Sequence, residues 1–205
     1  MDSISETELQ TIISETACPY GSQAKLDTCV WSTENITDIK LQELSDGLRQ
    51  MLNKGNDHML LMIRDIQRHS LSEWIPWFRD LLIQLSPPSY LKDEKLLAPR
   101  WYLPFDNHAF FIAFFAPCYP EGHTRRSYHP ETALVLFQEK SIFPHAQHPP
   151  LTAEAKAAMQ TQVRKFFAAK GKEYDAAYSY WPTALRFIVP EYIGEPPIHW
   201  WDPSE

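Results

Sequence analysis

Phe110-Phe111-Ile112-Ala113-Phe114-Phe115 and Thr132-Ala133-Leu134-Val135-Leu136-Phe137 are the two stretches on which the fold turns. Each is an almost unbroken apolar run of strand length, bounded by polar and proline-containing sequence. The longest apolar run, residues 109–117, is far short of the ~20 residues of a membrane span and fits a buried strand. Residues 116–131 lie between the two stretches and carry three prolines and two arginines. A connection of that length excludes a tight hairpin, so the two strands read as neighbours joined by an elaborated loop.

Upstream, residues 59–66 form a further apolar run of strand length, and residues 24–31 read as a short strand or turn. Between them Ile36, Ile39, Leu44, Leu48, Met51 and Leu52 mark an amphipathic helix that Gly55-Asn56-Asp57 ends. Ser70 and Glu73 form a capping box ahead of Trp74, Ile75, Phe78, Leu81, Leu82 and Leu85, a second helix, which Pro87-Pro88 stops. A short first helix is expected after Ser3 and Glu6, broken by Cys18-Pro19-Tyr20-Gly21. Residues 87–106 read as a long surface loop. Downstream, residues 152–170 read as a helix with Thr152 as its cap and Gly171 at its close. Residues 185–189 suggest one more strand in an aromatic, proline-rich tail, where Trp200-Trp201 either close over a pocket or pin the tail to the core. The expectation is an α+β fold in one domain over residues 1–205, with a central, mostly antiparallel sheet flanked by helices.

With 205 residues, 44% of them apolar and 13% aromatic, the chain can bury a core without staples. A net charge of −7 argues against a nucleic-acid partner, which needs a basic footprint. Cys18, Cys29 and Cys118 make no disulfide framework, and the N-terminus is acidic and polar; together they point to a cytoplasmic protein with reduced thiols and no membrane partner. The sequence is compatible with a homodimer. Phosphate-cradling glycine loops, G-x-S-x-G, H-E-x-x-H and C-x-x-C are all missing, which argues against the usual nucleotide hydrolases, serine hydrolases and zinc proteases.

Candidate chemistry gathers in the 116–131 connection. His123, in Pro120-Glu121-Gly122-His123-Thr124-Arg125-Arg126, reads either as an iron ligand or as a surface-loop histidine. Cys118 reads as a thiolate ligand or as a small buried hydrophobe. His129-Pro130-Glu131 has the spacing of two legs of a non-haem iron triad, with His145, His148 or His199 as the third, or is a solvated loop. Arg125 and Arg126 read as an anion clamp or a solvated turn.

The order Cys18-Pro19-Tyr20, helix, strand, Trp-bearing helix, Phe110-Phe111 strand, Arg125-Arg126 and Leu134-Val135-Leu136-Phe137-Gln138 resembles the YqcI/YcgG family over roughly residues 17–146. Many members place His-Pro directly after the first of these strands, where this chain has Ala116-Pro117, and end in a Trp-Cys-Pro-aromatic pattern, where it has Trp200-Trp201-Asp202-Pro203. The resemblance implies a haem-binding oxygenase that hydroxylates a nitrogen of a small amine or guanidine substrate, with electrons from an external donor. In that reading Phe111, Phe115 and Tyr119 wall the haem. His123, Cys118 or His129 binds iron, Arg125 or Arg126 pairs with a propionate, and Glu131 holds the cationic substrate, with Arg126 also a candidate catalytic residue. A non-haem iron enzyme and a binding module without chemistry are the alternatives.

Overall fold

The computed structural model describes residues 25–31, 38–64, 68–127, 129–143 and 152–203. The expected first helix, the Cys18-Pro19-Tyr20 segment, His145 and His148 lie outside these residues. Five strands form one mixed sheet in the order β1-β2-β5-β4-β3. They are β1 (Leu26–Trp31), β2 (His58–Ile63), β3 (Leu103–Phe105), β4 (His108–Phe115) and β5 (Ala133–Glu139). β1 and β2 run parallel, bridged by helix α1 (Asp38–Asn53), and the other three pairings are antiparallel. β4 and β5 lie side by side as expected, with Ile112 opposite Phe137 and Phe114 opposite Val135.

The alternation of side chains splits these strands between two cores. Met59, Leu61 and Ile63, Phe110, Ile112 and Phe114, and Ala133, Val135 and Phe137 share the larger cluster. Leu60, Met62, Ala113, Phe115, Leu134 and Leu136 form a smaller one on the opposite face. Both faces are buried, which is why the sequence runs apolar without a break. The larger core receives Leu44, Leu48 and Met51 of α1, spaced at one helical face, and eight buried side chains of α2 (Leu71–Leu85). The capping box of α2 is formed, with Ser70 N donating to Glu73 Oε2 at 3.0 Å.

Two expectations are corrected. Residues 87–106 are not a surface loop. They contain a 3-10 turn (Pro88–Tyr90), the short helix α3 (Asp93–Leu96) and β3, and they bury Leu96, Trp101, Leu103 and Phe105 in the main core. Asp106 and Asn107, at φ 44° and 64°, make the two-residue turn from β3 into β4, a local signal that this segment is a hairpin arm. Residues 185–189 are not a strand either. They begin within a 3-10 turn (Thr183–Arg186) and touch β4 through one backbone bond, Phe114 N to Phe187 O at 2.9 Å. Helix α4 (Ala153–Ala169) follows its sequence signals, with Thr152 Oγ1 accepting from Ala155 N at 3.2 Å and Gly171 at φ 67°. Trp200 and Trp201 pin the tail to the core. The Trp200 indole donates to Ala184 O at 2.8 Å and that of Trp201 to Asp93 Oδ1 at 2.6 Å. Among the described residues no helix is long and apolar enough to cross a membrane.

Phe114 is fully buried between Trp74 and Phe78, with ring centroids 5.3 and 5.5 Å away. Phe114→Ala is expected to cost about 3–5 kcal/mol of unfolding free energy, read from urea denaturation. A loss below about 1 kcal/mol would mean that this ring is not in a close-packed core.

Candidate functional site

The 116–131 connection folds back onto the C-terminal segment. Tyr119 is fully buried, and its hydroxyl donates to Val189 O at 2.8 Å. The imidazole of His123 lies flat on the Tyr119 ring, 4.4 Å between centroids and 2° between planes. Gly122 makes the turn at φ 83°, and its carbonyl accepts from Glu173 N at 2.9 Å. Arg125 N donates to His123 Nδ1 at 3.0 Å, so that nitrogen is an acceptor and the ring proton sits on Nε2, where the Pro190 backbone is the partner. Burial first, then the nearby Arg125 guanidinium, lowers the His123 pKa to about 4. It is a neutral histidine with both nitrogens engaged.

The arginines are engaged in the same way. Arg125 Nη2 donates to Arg186 O at 2.8 Å, and its guanidinium stands 5.1 Å from the Phe115 ring centre. Arg126 Nη1 donates to the carbonyls of Pro117 and Tyr119. The thiol of Cys118 is pushed up to about 11, mainly by burial and then by Glu191, so it stays protonated at neutral pH. His129 and Glu131 lie exposed at the far end of the connection, whereas His199 stacks on Trp201 in the tail. Among the described residues no group of three or more His, Cys, Asp or Glu side chains is placed to hold a metal ion.

The structure does bring Arg125, Phe115, Tyr119 and His123 together, and it sets Arg186 5.9 Å over Phe111 beside them. It does not arrange them as the sequence suggests. Phe115 is 4% exposed and packed in the smaller core, so it walls no open slot. Haem needs an available axial donor and free cations for its propionates. His123 spends its nitrogens within the loop, Cys118 is held as a thiol, and Arg126 serves loop carbonyls. These residues do not fit a haem, and His129, Glu131 and His199 do not converge as an iron triad.

The chemistry lies one layer further out. A cleft of about 320 Å³ opens between three walls that the sequence reading did not connect. They are the Pro99–Tyr102 segment ahead of β3, one side of α4 (Met159, Gln160, Val163) and the stretch from Tyr174 to Arg186. At this size it suits a small metabolite. Among the described residues its lining includes two cations, Arg100 and Arg186, and no carboxylate. Arg100 is exposed, whereas Arg186 is half-buried. Its pKa is lowered by burial, and the only groups that raise it are the phenols of Tyr102 and Tyr174. Burial pushes those phenols up in turn, so they stay neutral. Arg186 Nη2 donates to Thr183 Oγ1 at 3.0 Å, while its buried Nε has no hydrogen-bond partner. A more open groove runs along Pro190 and His199. Its two acids are engaged by backbone amides, Glu191 by Leu71 N at the start of α2 and Glu195 by Tyr192 N of its own loop.

Compared with known proteins, the chain matches no family model, no curated protein and no solved structure.

The unfolded chain protonates His123 near the ordinary histidine value of about 6.5, whereas the folded chain resists protonation until about pH 4. Its contribution is therefore complete above the unfolded value and is lost as pH falls through that window, by up to about 1.4 kcal/mol per pH unit. Unfolding free energies of wild type and His123→Gln, measured from pH 7 to 4, are expected to converge as pH falls. A constant difference would contradict a buried neutral imidazole.

Proposed function

We propose that this protein binds a small organic anion in the cleft floored by Arg186. The observation that carries the reading is a half-buried guanidinium with no carboxylate among the described residues of the cleft lining, its fully buried Nε without a hydrogen-bond partner. A charge removed from water is normally matched by a counter-charge. The chain supplies Thr183 Oγ1, the Phe111 ring and two neutral phenols, none of which is an anion. A ligand carboxylate or phosphate completes the set, through charge-assisted bonds strengthened by the apolar surroundings. Tyr180 and Trp181 line the same cleft and give the ligand a surface to bury against.

The cost of this arrangement falls on the unliganded protein. Arg186→Met removes a desolvated charge and keeps the long apolar stem. The variant is expected to melt at or above the wild-type temperature, yet to lose about ten- to hundredfold in affinity for benzoate, measured by calorimetric titration. Benzoate binding of equal strength in Arg186→Met would overturn the proposal. A Soret band in freshly purified protein that shifts in His123→Ala would instead restore the haem reading drawn from the YqcI/YcgG resemblance.

A further inference from the structure

We infer that the anion taken by this cleft is a small dicarboxylate, held by Arg186 at one end and Arg100 at the other, an inference that rests on the anion-binding reading above. The two arginines lie far apart in sequence, yet one hydrogen-bonded relay joins them. Arg186 Nη2 donates to Thr183 Oγ1 at 3.0 Å, and that hydroxyl donates in turn to Pro99 O at 3.0 Å. Pro99 O belongs to the peptide group that leads into Arg100. Thr183 is 1% exposed, so water does not compete for the relay. The backbone of Arg100 is thus fixed two short bonds from the Arg186 guanidinium, and both side chains line the cleft. Tyr102, in the same lining, feels both. Burial pushes its phenol up, and the groups that pull it back are Arg186 and then Arg100.

Neither charge is answered by the protein. Acidic residues outnumber basic ones, 26 to 19, and elsewhere that surplus reaches the arginines. Arg49 pairs with Asp46 and Asp106, and Arg79 Nε lies 3.7 Å from Asp80. Among the described residues Arg100 and Arg186 have no ion-pair partner. Arg186 keeps one guanidinium nitrogen for a ligand. Its Nη2 is bonded to Thr183 and its Nε is sealed from solvent, whereas Nη1 is neither bonded to a described residue nor sealed. Arg100 is exposed and Arg186 half-buried, so the two cations sit at different depths.

That separation chooses the ligand. Two cations at different depths match two anionic groups carried on one short chain. A phosphoryl group concentrates its charge on one centre and needs convergent donors for three oxygens. The hydroxyls of Thr183 and Ser179 do not serve it, because they donate to Pro99 O and Ala176 O. Among the described residues the lining has no glycine to bring backbone amides close to an anion. A volume of about 320 Å³ suits a diacid of about four to six carbons, and Met159 and Val163 offer its methylenes apolar surface.

Calorimetric titration of the full chain with succinate, glutarate, adipate, butyrate, benzoate and inorganic phosphate tests this. The best of the three diacids is expected to bind about three- to tenfold tighter than butyrate at low ionic strength, and phosphate more weakly than that diacid. The advantage is expected to shrink as salt rises, because one of its two ion pairs lies in solvent. Arg100→Gln is expected to cut it to less than about twofold. Arg164 is an exposed cation of α4 outside the lining, and Arg164→Gln is expected to keep the advantage. Equal binding of diacids and butyrate, an advantage that survives Arg100→Gln, or one lost as fully in Arg164→Gln would overturn the dicarboxylate and leave anion binding at Arg186 standing. Phosphate binding tightest of all would do the same. Failure of every anion to bind, benzoate included, would overturn both this inference and the anion-binding reading beneath it.

Discussion

Beyond Phe110 the outer edge of β4 has no strand beside it among the described residues, because β3 pairs only from Leu103 to Phe105. A bare strand edge in a protein core must be covered, and here the C-terminal segment covers it. Phe187 accepts the Phe114 amide at 2.9 Å, its ring packs against Phe111 and Trp101, and Trp200 stacks on its other side and donates to Ala184 O. Everything around the candidate site follows from that docking. Arg186 sits one residue before the Phe187 anchor, so the bond that closes the sheet edge also holds the guanidinium at the cleft.

The 116–131 connection acts as the buttress of the same segment. Tyr119 holds Val189, Arg125 holds the Arg186 carbonyl, and His123 engages the Pro190 backbone. Three backbone groups within residues 186–190 are thus pinned by three polar side chains of one loop. This gives His123, Arg125 and Arg126 a physical reason to be where they are without any metal chemistry. Their side chains satisfy buried backbone groups that irregular chain leaves unpaired. Arg186 differs from them. It receives support through its backbone, while its charge is left facing neutral groups.

Much of the fold was legible in the sequence. The apolar runs gave β2, β4 and β5, periodicity gave α1, α2 and α4, and the capping box at Ser70 and Glu73 was read correctly. The 87–106 segment was misread because its buried residues, Leu96, Trp101, Leu103 and Phe105, follow neither helical nor strand spacing over a usable window, and the segment is rich in proline. The Asp106-Asn107 pair, which the reading passed over, was the signal that marks the hairpin. The tail strand at 185–189 was expected from apolar character alone, but the edge it meets accepts only one bond before Trp200 and the turn at Thr183 take over.

The site was legible only as a neighbourhood. Sequence attention fell on imidazole, thiol and paired guanidinium in the central connection, since the first two ligate metals and the third clamps anions. Side-chain letters do not reveal whether a nitrogen is already spent on a neighbouring amide, as His123 Nδ1 is on Arg125. The cleft is assembled from three segments distant in sequence, and its local trace was the run Tyr174, Tyr180, Trp181 and Arg186. The most direct measurement of the central claim is the Arg186 Nε–Hε resonance of labelled protein during titration with benzoate. A saturable shift of that resonance, with an affinity equal to the calorimetric one, is the expected result. Saturable binding that leaves Arg186 Nε unmoved would contradict it.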